Sequence, residues 1–344
     1  MDKFTSSFFA VSAVILMTVF LFTGCSGDQQ TDRVEWAVAL HGGAGTISKD
    51  LPDSVRQQYY DGLEQAVRTG QIVLREGGSA LDAVEQVVRN LENNPLFNAG
   101  KGSVFTADGT HELDAAIMDG STMQAGALTG LTTVKNPVTL ARKVMEESRH
   151  IFFSGQGAEL YADQTDVERV ENDHFFTQNR YEQWQRAQEE SSMNIDRAHP
   201  YYESPNASYF GTVGAVAIDS NGNLAAATST GGMTNKQFGR VGDVPIIGSG
   251  TFANHIAAVS ATGWGEKIME QVSGNTIANL VEFGGYTLEG AVDFLLNERL
   301  QPDEAGFIAV DRDGNIVMNM NTPGMFRGSI NSRGEKEVKI WIEE

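Results

Sequence analysis

The chain has 344 residues, of which 41% are hydrophobic and 20% charged, a composition typical of a globular protein with one large domain or two small ones. Its 45 acidic and 25 basic side chains give a formal net charge of -20, which repels phosphate backbones and argues against nucleic acid as the main partner. A single cysteine excludes an internal disulfide framework and a metal site built from several cysteines.

The N-terminal segment has the pattern of an export signal. An apolar run over 8–22, too short for a comfortable membrane span, ends at the small residues that precede Cys25. This pattern resembles a bacterial lipoprotein signal, which implies that residues 1–24 are removed, that Cys25 is lipidated, and that 25–33 form a polar tether. The alternatives are an uncleaved anchor or a plain signal peptide. The first interpretation predicts an exported lipoprotein at the periplasmic side or cell surface of a bacterial envelope.

The first half of the mature chain mixes strand and helix patterns. Apolar residues at helical spacing, a serine N-cap and an Asp-Gly turn are the signals. The predicted elements are a strand over 34–40 that ends at His41, helices over 53–75, 79–91 and 138–147, and a hairpin of 103–106 with 112–118.

The second half opens with a polar stretch, and two short apolar hairpins follow it. Residues 164–208 are rich in Gln, Glu, Asn, Asp and Arg, and their last part, 191–208, is predicted to be a loose linker. The elements predicted after it are a hairpin of 212–218 with 224–228, a strand over 255–260, helices over 262–275 and 288–299, and a hairpin of 306–310 with 316–320. Two sheet regions built from hairpins, with helices outside them, predict an α/β or α+β sandwich.

Conventional hydrolase motifs are missing from the sequence. The six histidines lack metal-like spacing, and no Gly-x-Ser-x-Gly segment is present. Glycine patterns of dinucleotide- or phosphate-binding loops do not follow any predicted strand. Serine, cysteine and metal hydrolases are therefore poorly supported.

The pair Gly211-Thr212 stands out because the polar linker leads directly into a strand that begins with threonine. A threonine hydroxyl has no base beside it in such a sequence, but cutting the chain before Thr212 would create one. The new α-amine titrates near 7.7 to 8.0 when unperturbed, so it could accept the proton of the hydroxyl on its own residue. Taken alone, a Gly-Thr pair at a strand start is more often only structural.

Longer strings surround this pair. The segment Gly211-Thr212-Val213-Gly214-Ala215-Val216-Ala217-Ile218-Asp219 resembles the nucleophile strand of the plant-type asparaginase/isoaspartyl peptidase family of N-terminal-nucleophile hydrolases. Further matches follow the family's order along the chain, from about Trp36 to Gly328. They are His41-Gly42-Gly43-Ala44-Gly45, Leu96-Phe97-Asn98-Ala99-Gly100, His111 to Gly120, Thr228 to Lys236, Gly239-Arg240-Val241-Gly242-Asp243, Thr262-Gly263-Trp264-Gly265-Glu266 and Asn321 to Gly328.

The resemblance implies a four-layer αββα sandwich of the N-terminal-nucleophile hydrolase type, formed as one folded domain. It implies self-cleavage between Gly211 and Thr212, which would give an α subunit over 34–211 and a β subunit over 212–344. Two α/β units are expected to pair as an (αβ)2 dimer.

The resemblance also implies a set of site residues. Thr212 would be the nucleophile and its own amine the base, Thr230 would tune that hydroxyl, and Asn98 would support it. Thr262 and Gly263 would form the oxyanion hole. The remaining roles are substrate contacts, with Arg240 holding the α-carboxylate, Asp243 the α-ammonium, and Gly265 adding a backbone contact.

A substrate held in this way presents its side-chain carbonyl to Thr212, which implies hydrolysis of L-asparagine or a β-aspartyl peptide to L-aspartate. No catalytic cofactor is expected. The family also holds a structural sodium ion through main-chain carbonyls of one loop. In this sequence the corresponding donors are Leu91, Glu92, Asn94, Phe97, Ala99 and Lys101.

Two alternatives stay open. The first is glycosylasparaginase, which also uses an N-terminal threonine nucleophile but acts on Asn-linked glycans. The predicted export favours it somewhat, whereas the Gly231-to-Lys236 string and the lack of cysteine pairs favour the isoaspartyl reaction. A surface lipoprotein that binds peptides without catalysis is an alternative of another class. It would not need Thr212.

Overall fold

The computed structural model describes residues 34–193 and 211–343. The predicted signal, Cys25, the tether and residues 194–208 of the predicted linker lie outside this range. Within the described part of the chain, no helix has both the length and the apolar character needed to cross a membrane.

Regular structure in the described residues comprises twelve strands and eight α-helices. The strands are β1 (Ala37–Gly45), β2 (Leu113–Asp119), β3 (Ala125–Leu131), β4 (Phe152–Ser154), β5 (Val213–Ile218), β6 (Leu224–Thr230), β7 (Thr251–Ala253), β8 (Ala257–Gly263), β9 (Ala305–Asp311), β10 (Ile316–Met320), β11 (Gly324–Asn331) and β12 (Lys336–Trp341). The helices are α1 (Asp53–Arg75), α2 (Ala80–Glu92), α3 (Pro137–Glu147), α4 (Gly155–Ala162), α5 (Gln178–Met193), α6 (Gly265–Glu270), α7 (Ser273–Glu282) and α8 (Leu288–Phe294), the last continued by a π-helical turn over Leu295–Arg299.

The described strands form two stacked sheets. An eight-stranded sheet has the order β12-β11-β1-β5-β6-β2-β3-β4, and a four-stranded sheet has the order β10-β9-β8-β7. Helices α1 to α3 pack on the outer face of the large sheet, α7 and α8 pack on the outer face of the small one, and β1, β5 and β6 face β8 and β9 between them. The predicted αββα sandwich is confirmed.

Alternation along the central strands fills two cores. Val213, Ala215 and Ala217 of β5 point toward α1 to α3, whereas Val216 and Ile218 point toward the small sheet. Both faces of β5 are therefore buried, which explains why its sequence is almost continuously apolar. Thr212 directly precedes this strand, which is held in the middle of the large sheet by β1 and β6.

Several predicted elements agree with the structure. The helices over 53–75 and 79–91 form as α1 and α2, and Ser79 caps α2 in a capping box with Asp82. The hairpins after the linker form as β5–β6 and β9–β10. Side-chain oxygens of Asp219 and Asp311 accept main-chain N–H groups within the two connecting turns, which explains why Asp-x-x-Gly-Asn is a reliable hairpin signal here.

Four predicted elements were wrong or misplaced. Residues 103–106 form no strand, because the N–H of Val104 donates to the Asn98 side chain and the carbonyl of Phe105 accepts the N–H of Asn235. Strand β2, which was predicted to pair with them, instead pairs with β3 and β6. The predicted strand over 34–40 continues to Gly45, since β11 pairs with it as far as Gly324.

The third misplaced element is the helix predicted over 262–275. Thr262 and Gly263 are the last residues of β8, because Gly306 and Ala305 of β9 pair with them. This also moves the strand predicted over 255–260 toward the C-terminus, and helix begins only at Gly265.

Candidate active site

Thr212 lies immediately before β5, with only 7% of its surface exposed. Its Oγ1 donates a hydrogen bond to Oγ1 of Thr230 at 3.2 Å. The two hydroxyls meet because β5 and β6 are antiparallel, so that the start of one strand lies beside the end of the other, with Val213 opposite Ser229. Hairpin topology therefore brings together two threonines that are 18 residues apart.

The carbonyl oxygen of Gly211, which belongs to the peptide bond before Thr212, has two side-chain donors. Asn98 Nδ2 donates to it at 2.7 Å and Thr230 Oγ1 donates at 3.1 Å. The N–H of Gly232 donates in turn to Thr230 Oγ1 at 2.9 Å. Two donors on one carbonyl can stabilise negative charge that develops on its oxygen, so this peptide bond is polarised toward attack.

Asn98 is fixed at both ends of its amide group. Its Oδ1 accepts the N–H of Val104 at 3.0 Å, and its Nδ2 also donates to the carbonyl of Gly232 at 2.7 Å. Only 1% of Asn98 is exposed, so these bonds do not compete with water. The side chain is therefore held with its N–H groups facing the Gly211 carbonyl.

A second group of side chains carries charge. Arg240 donates through Nε and Nη2 to the two carboxylate oxygens of Glu266 at 2.8 and 2.7 Å, a bidentate ion pair. A Cβ built on Gly265 would lie 2.8 Å from both Arg240 Nη2 and Asp243 Oδ1. The guanidinium and the two carboxylates therefore meet around a residue that must lack a side chain.

Asp243 is buried, and within the described residues its Oδ2 has no hydrogen-bond partner. Burial raises its pKa to about 7, and the nearby charge of Arg240 opposes this rise only in part. Burial also disfavours the charge on Arg240, but the bond to Glu266 outweighs it and raises the pKa of the guanidinium. A buried carboxylate with a free oxygen is suited to an ammonium ligand.

Thr262 and Gly263 reach this region from the small sheet. Thr262 is fully buried at the end of β8, and its Oγ1 accepts the N–H of Ala44 at 3.1 Å. Ala44 belongs to the glycine-rich end of β1, the strand next to β5. Thr262 thus bonds to the strand next to β5, while Gly263 pairs with Ala305 of β9.

Comparison with known proteins agrees with this geometry. A profile of the asparaginase family matches residues 34–340. The chain belongs to the asparaginase family. Its layered sandwich is the N-terminal-nucleophile hydrolase fold that the sequence resemblance implied.

Individual members of the asparaginase family align over most of the chain. An isoaspartyl peptidase of Escherichia coli is 48% identical over 84% of this chain and 91% of its own length. A putative isoaspartyl peptidase/L-asparaginase of Dictyostelium discoideum is 44% identical over 85% of this chain and 92% of its own length. A plant-type L-asparaginase of Thermococcus kodakarensis is 42% identical over 84% of this chain and 94% of its own length.

The predicted site residues fall into two groups in this asparaginase-family structure. Thr212, Thr230, Gly211 and Asn98 are joined by direct hydrogen bonds. The second group contains Arg240, Asp243 and Gly265, with the two charged side chains against Gly265. Thr262 is joined to Ala44 of β1, and Gly263 follows it at the end of β8.

Glu266 was missed as a site residue. It lies 26 residues from Arg240, and nothing in the local sequence marks their pairing. The available signal was its place directly after Gly265, at the end of a string that already contained three predicted site residues.

Proposed function

We propose that the chain cleaves itself between Gly211 and Thr212 and then hydrolyses the side-chain amide of L-asparagine and of β-aspartyl peptides, releasing L-aspartate. The observation that carries this proposal is the bonding around Thr212. Its hydroxyl is engaged by Thr230 at 3.2 Å, while the carbonyl on its N-terminal side is held by two donors. The names of the aligned family members support the choice of substrates.

Self-cleavage begins when Thr212 Oγ1 attacks the carbonyl carbon of Gly211. The hydroxyl proton leaves toward Thr230, whose oxygen already accepts that hydrogen bond. Asn98 Nδ2 and Thr230 stabilise the developing oxyanion, the carbon–nitrogen bond breaks, and the nitrogen takes the proton that left the Thr212 hydroxyl to become the α-amine of Thr212. Water then hydrolyses the ester between Gly211 and the Thr212 side chain, which leaves a carboxylate on Gly211 and restores the hydroxyl.

In the mature enzyme the α-amine of Thr212 is the base for its own hydroxyl. The hydroxyl attacks the side-chain carbonyl of the substrate, and ammonia or an amino acid leaves with the proton that the amine received. We assign the oxyanion to the Thr262 hydroxyl and the Gly263 N–H. Hydrolysis of the resulting aspartyl ester releases L-aspartate and regenerates Thr212.

Substrate orientation follows from the charges. The carboxylate of Asp243 accepts the α-ammonium, and the guanidinium of Arg240 binds the α-carboxylate beside Gly265. The bonds to Glu266 use Nε and Nη2, so the edge formed by Nη1 and Nη2 can grip a second carboxylate. A substrate held at both α-substituents has only its side chain left to face Thr212.

Incubation of the purified protein with a β-aspartyl dipeptide, L-asparagine and a glycosylated asparagine tests this function, with aspartate release as the readout. Hydrolysis of the first two by wild type and none by Thr212→Ala supports the proposal. Exclusive hydrolysis of the glycosylated substrate would establish the glycosylasparaginase alternative. Binding of peptides without any hydrolysis, by an uncut chain, would establish the binding lipoprotein.

Three further features belong to the proposal. We propose that the chain is exported and lipidated at Cys25, on the pattern of residues 1–25, and that two αβ units form an (αβ)2 dimer. We also propose a structural sodium ion at the loop after α2. The donors would be the carbonyls of Leu91, Glu92, Asn94, Phe97, Ala99 and Lys101.

The chemistry of this loop fits a hard monovalent ion. The carbonyls of Leu91, Asn94, Phe97 and Ala99 each accept one main-chain N–H, and a carbonyl oxygen has a second lone pair. Within the described residues no cluster of His, Cys, Asp or Glu side chains could hold a metal ion. Removal of sodium is expected to lower thermal stability, with no direct effect on the chemical step.

A further inference from the structure

A buried chain of hydrogen bonds runs between the two sheets behind the nucleophile. Oγ1 of Thr228 lies 2.8 Å from Oγ of Ser260, Ser260 Oγ lies 2.8 Å from Nε2 of His41, and His41 Nδ1 lies 2.8 Å from the carbonyl oxygen of Thr212. Thr228, Ser260 and His41 are completely buried. The chain joins β6, β8 and β1 to the residue that precedes β5.

The carbonyl of Thr212, at one end of this chain of hydrogen bonds, fixes which group donates and which accepts in each bond. A carbonyl oxygen only accepts, so His41 Nδ1 carries the proton and donates it. Burial lowers the pKa of His41 to about 3, with the bond to Thr212 opposing this only in part, and the ring is neutral. Nε2 of a neutral ring must then accept from the hydroxyl of Ser260, which in turn accepts from Thr228.

The surrounding residues leave room for this chain of hydrogen bonds and for nothing larger. His41 is the residue of β1 that pairs with Gly214 of β5, at the end of the paired stretch of the two strands. A Cβ on Gly214 would overlap Ser260 Oγ and would lie 2.5 Å from His41 Nε2. Polar groups buried in this way cost free energy unless every bond is made, so the arrangement strongly constrains the ring.

The geometry points to His41 as a positioning residue for the nucleophile, with Ser260 holding its ring in the required tautomer. This inference rests on the proposed function. After cleavage, Thr212 becomes a chain terminus whose only covalent link is its own carbonyl carbon, and chain termini are mobile unless they are held. The bond from His41 holds that carbonyl and thereby limits motion of the attached hydroxyl and amine.

A positioning role predicts an effect on the chemical step and little effect on substrate binding. Arg240 and Asp243 set substrate affinity and do not bond to His41. Loss of the hydrogen bond from His41 lets Thr212 leave the reactive geometry, which lowers kcat. A neutral hydrogen bond of ordinary strength corresponds to a change of up to about tenfold.

Two replacements of His41 separate the bond to Thr212 from the bond to Ser260. In His41→Asn the amide nitrogen can take the place of Nδ1 and keep the donor to Thr212. In His41→Gln the longer amide reaches toward Ser260 and places no donor at the Nδ1 position. Ser260→Ala removes only the hydroxyl, and Ser273→Ala is its control, since Ser273 is equally buried and donates to the carbonyl of Ile268.

Kinetics are measured per cleaved active site with a β-aspartyl dipeptide, beside wild type and Thr212→Ala. We expect His41→Gln to lower kcat about tenfold with KM within about twofold of wild type, and His41→Asn to restore kcat to within about threefold. Ser260→Ala should lower kcat about threefold relative to Ser273→Ala. Equal losses in both His41 variants, a loss confined to KM, or equality of the two serine variants would overturn the inference.

Hydrogen exchange provides a readout that needs no substrate. The amide at the start of β5 should exchange faster in cleaved His41→Gln than in wild type, and His41→Asn should retain protection. If wild type hydrolyses neither a β-aspartyl dipeptide nor L-asparagine, the proposed function fails, but hydrogen exchange still tests whether His41 holds Thr212. Identical exchange in all three proteins would overturn the inference that His41 holds Thr212, whatever their activity.

Discussion

Thr230 contacts both sides of the bond that we propose is cut. Its Oγ1 accepts the hydroxyl of Thr212 at 3.2 Å and donates to the carbonyl of Gly211 at 3.1 Å. One hydroxyl therefore serves the nucleophile and the developing oxyanion during self-cleavage, and it stays beside Thr212 after the carbonyl has gone.

This double contact predicts that Thr230→Ala impairs both reactions. Removal of an oxyanion donor typically costs about 10²–10³ in rate, so self-cleavage should slow by about 10²-fold, and turnover by the cleaved fraction should also fall. Thr230→Ser, which keeps the hydroxyl, is the control and should retain most of both rates. Denaturing gels over time measure cleavage. Normal cleavage of Thr230→Ala would contradict the assignment.

Asn98 and Thr262 should separate the two reactions. Asn98→Asp keeps the oxygen that accepts the Val104 N–H but loses the donor to Gly211, so self-cleavage should slow by about 10²-fold. Thr262→Ala should cleave at nearly the wild-type rate, because its hydroxyl bonds to the N–H of Ala44 and not to Thr212 or Gly211. Its kcat should fall about 10²–10³-fold, because the substrate oxyanion loses a donor. The reverse pattern would show that the two oxyanion assignments are exchanged.

Glu266→Gln should weaken substrate binding through Arg240. A charge-assisted hydrogen bond contributes about 1.5–3 kcal/mol, so a guanidinium released from its bidentate partner should raise KM about tenfold or more with a smaller change in kcat. Arg240→Ala should still self-cleave, because the cleavage site lies in the other group of residues, but it should turn over poorly. An unchanged KM in Glu266→Gln would show that Arg240 is oriented by other contacts.

Ionisation of Asp243 is expected to favour substrate binding and to lower the stability of the fold. Its pKa is raised to about 7 by burial, so without substrate it takes up a proton as the pH falls below about 7, and KM should rise there. The folded state holds this proton more tightly than the unfolded state, so the contribution of Asp243 to stability falls as the pH rises from about 4 to about 7. Asp243→Asn should therefore be more thermostable than wild type at pH 8 while losing most of its substrate affinity. A lower melting temperature at pH 8 would contradict this account.

Local signals predicted much of the fold and little of the site geometry. The β5–β6 and β9–β10 hairpins and the cap of α2 depend on contacts within a few residues, and the sequence predicts them directly. Strands β3, β4, β11 and β12 were not predicted. Strand β4 pairs with β3 across the whole of α3, whereas β2–β3 and β11–β12 are hairpins between neighbouring strands whose local signals were not recognised. Thr262 was assigned to a helix because its place in a strand depends on pairing with Gly306, 44 residues later.

The site residues were identified through the family resemblance, because spacing alone could not select them. Asn98 reaches Gly211 across 113 positions, and His41 reaches Ser260 across 219. The second contact forms only when the two sheets stack, and the first only when the loop after α2 packs beside the start of β5. Glu266 and His41 lay within the matched strings, yet their roles became apparent only from the atoms that they contact.

Intact mass and N-terminal sequencing of the purified protein, combined with an aspartate-release assay on the same sample, test the central claim most directly. The account predicts two fragments, one ending at Gly211 and one beginning with a free Thr212, and activity that rises in step with their appearance. Thr212→Ala should remain one inactive chain, and Thr212→Ser should recover part of both properties. A preparation whose Gly211–Thr212 bond is intact, yet which hydrolyses β-aspartyl peptides at full rate, would contradict the account.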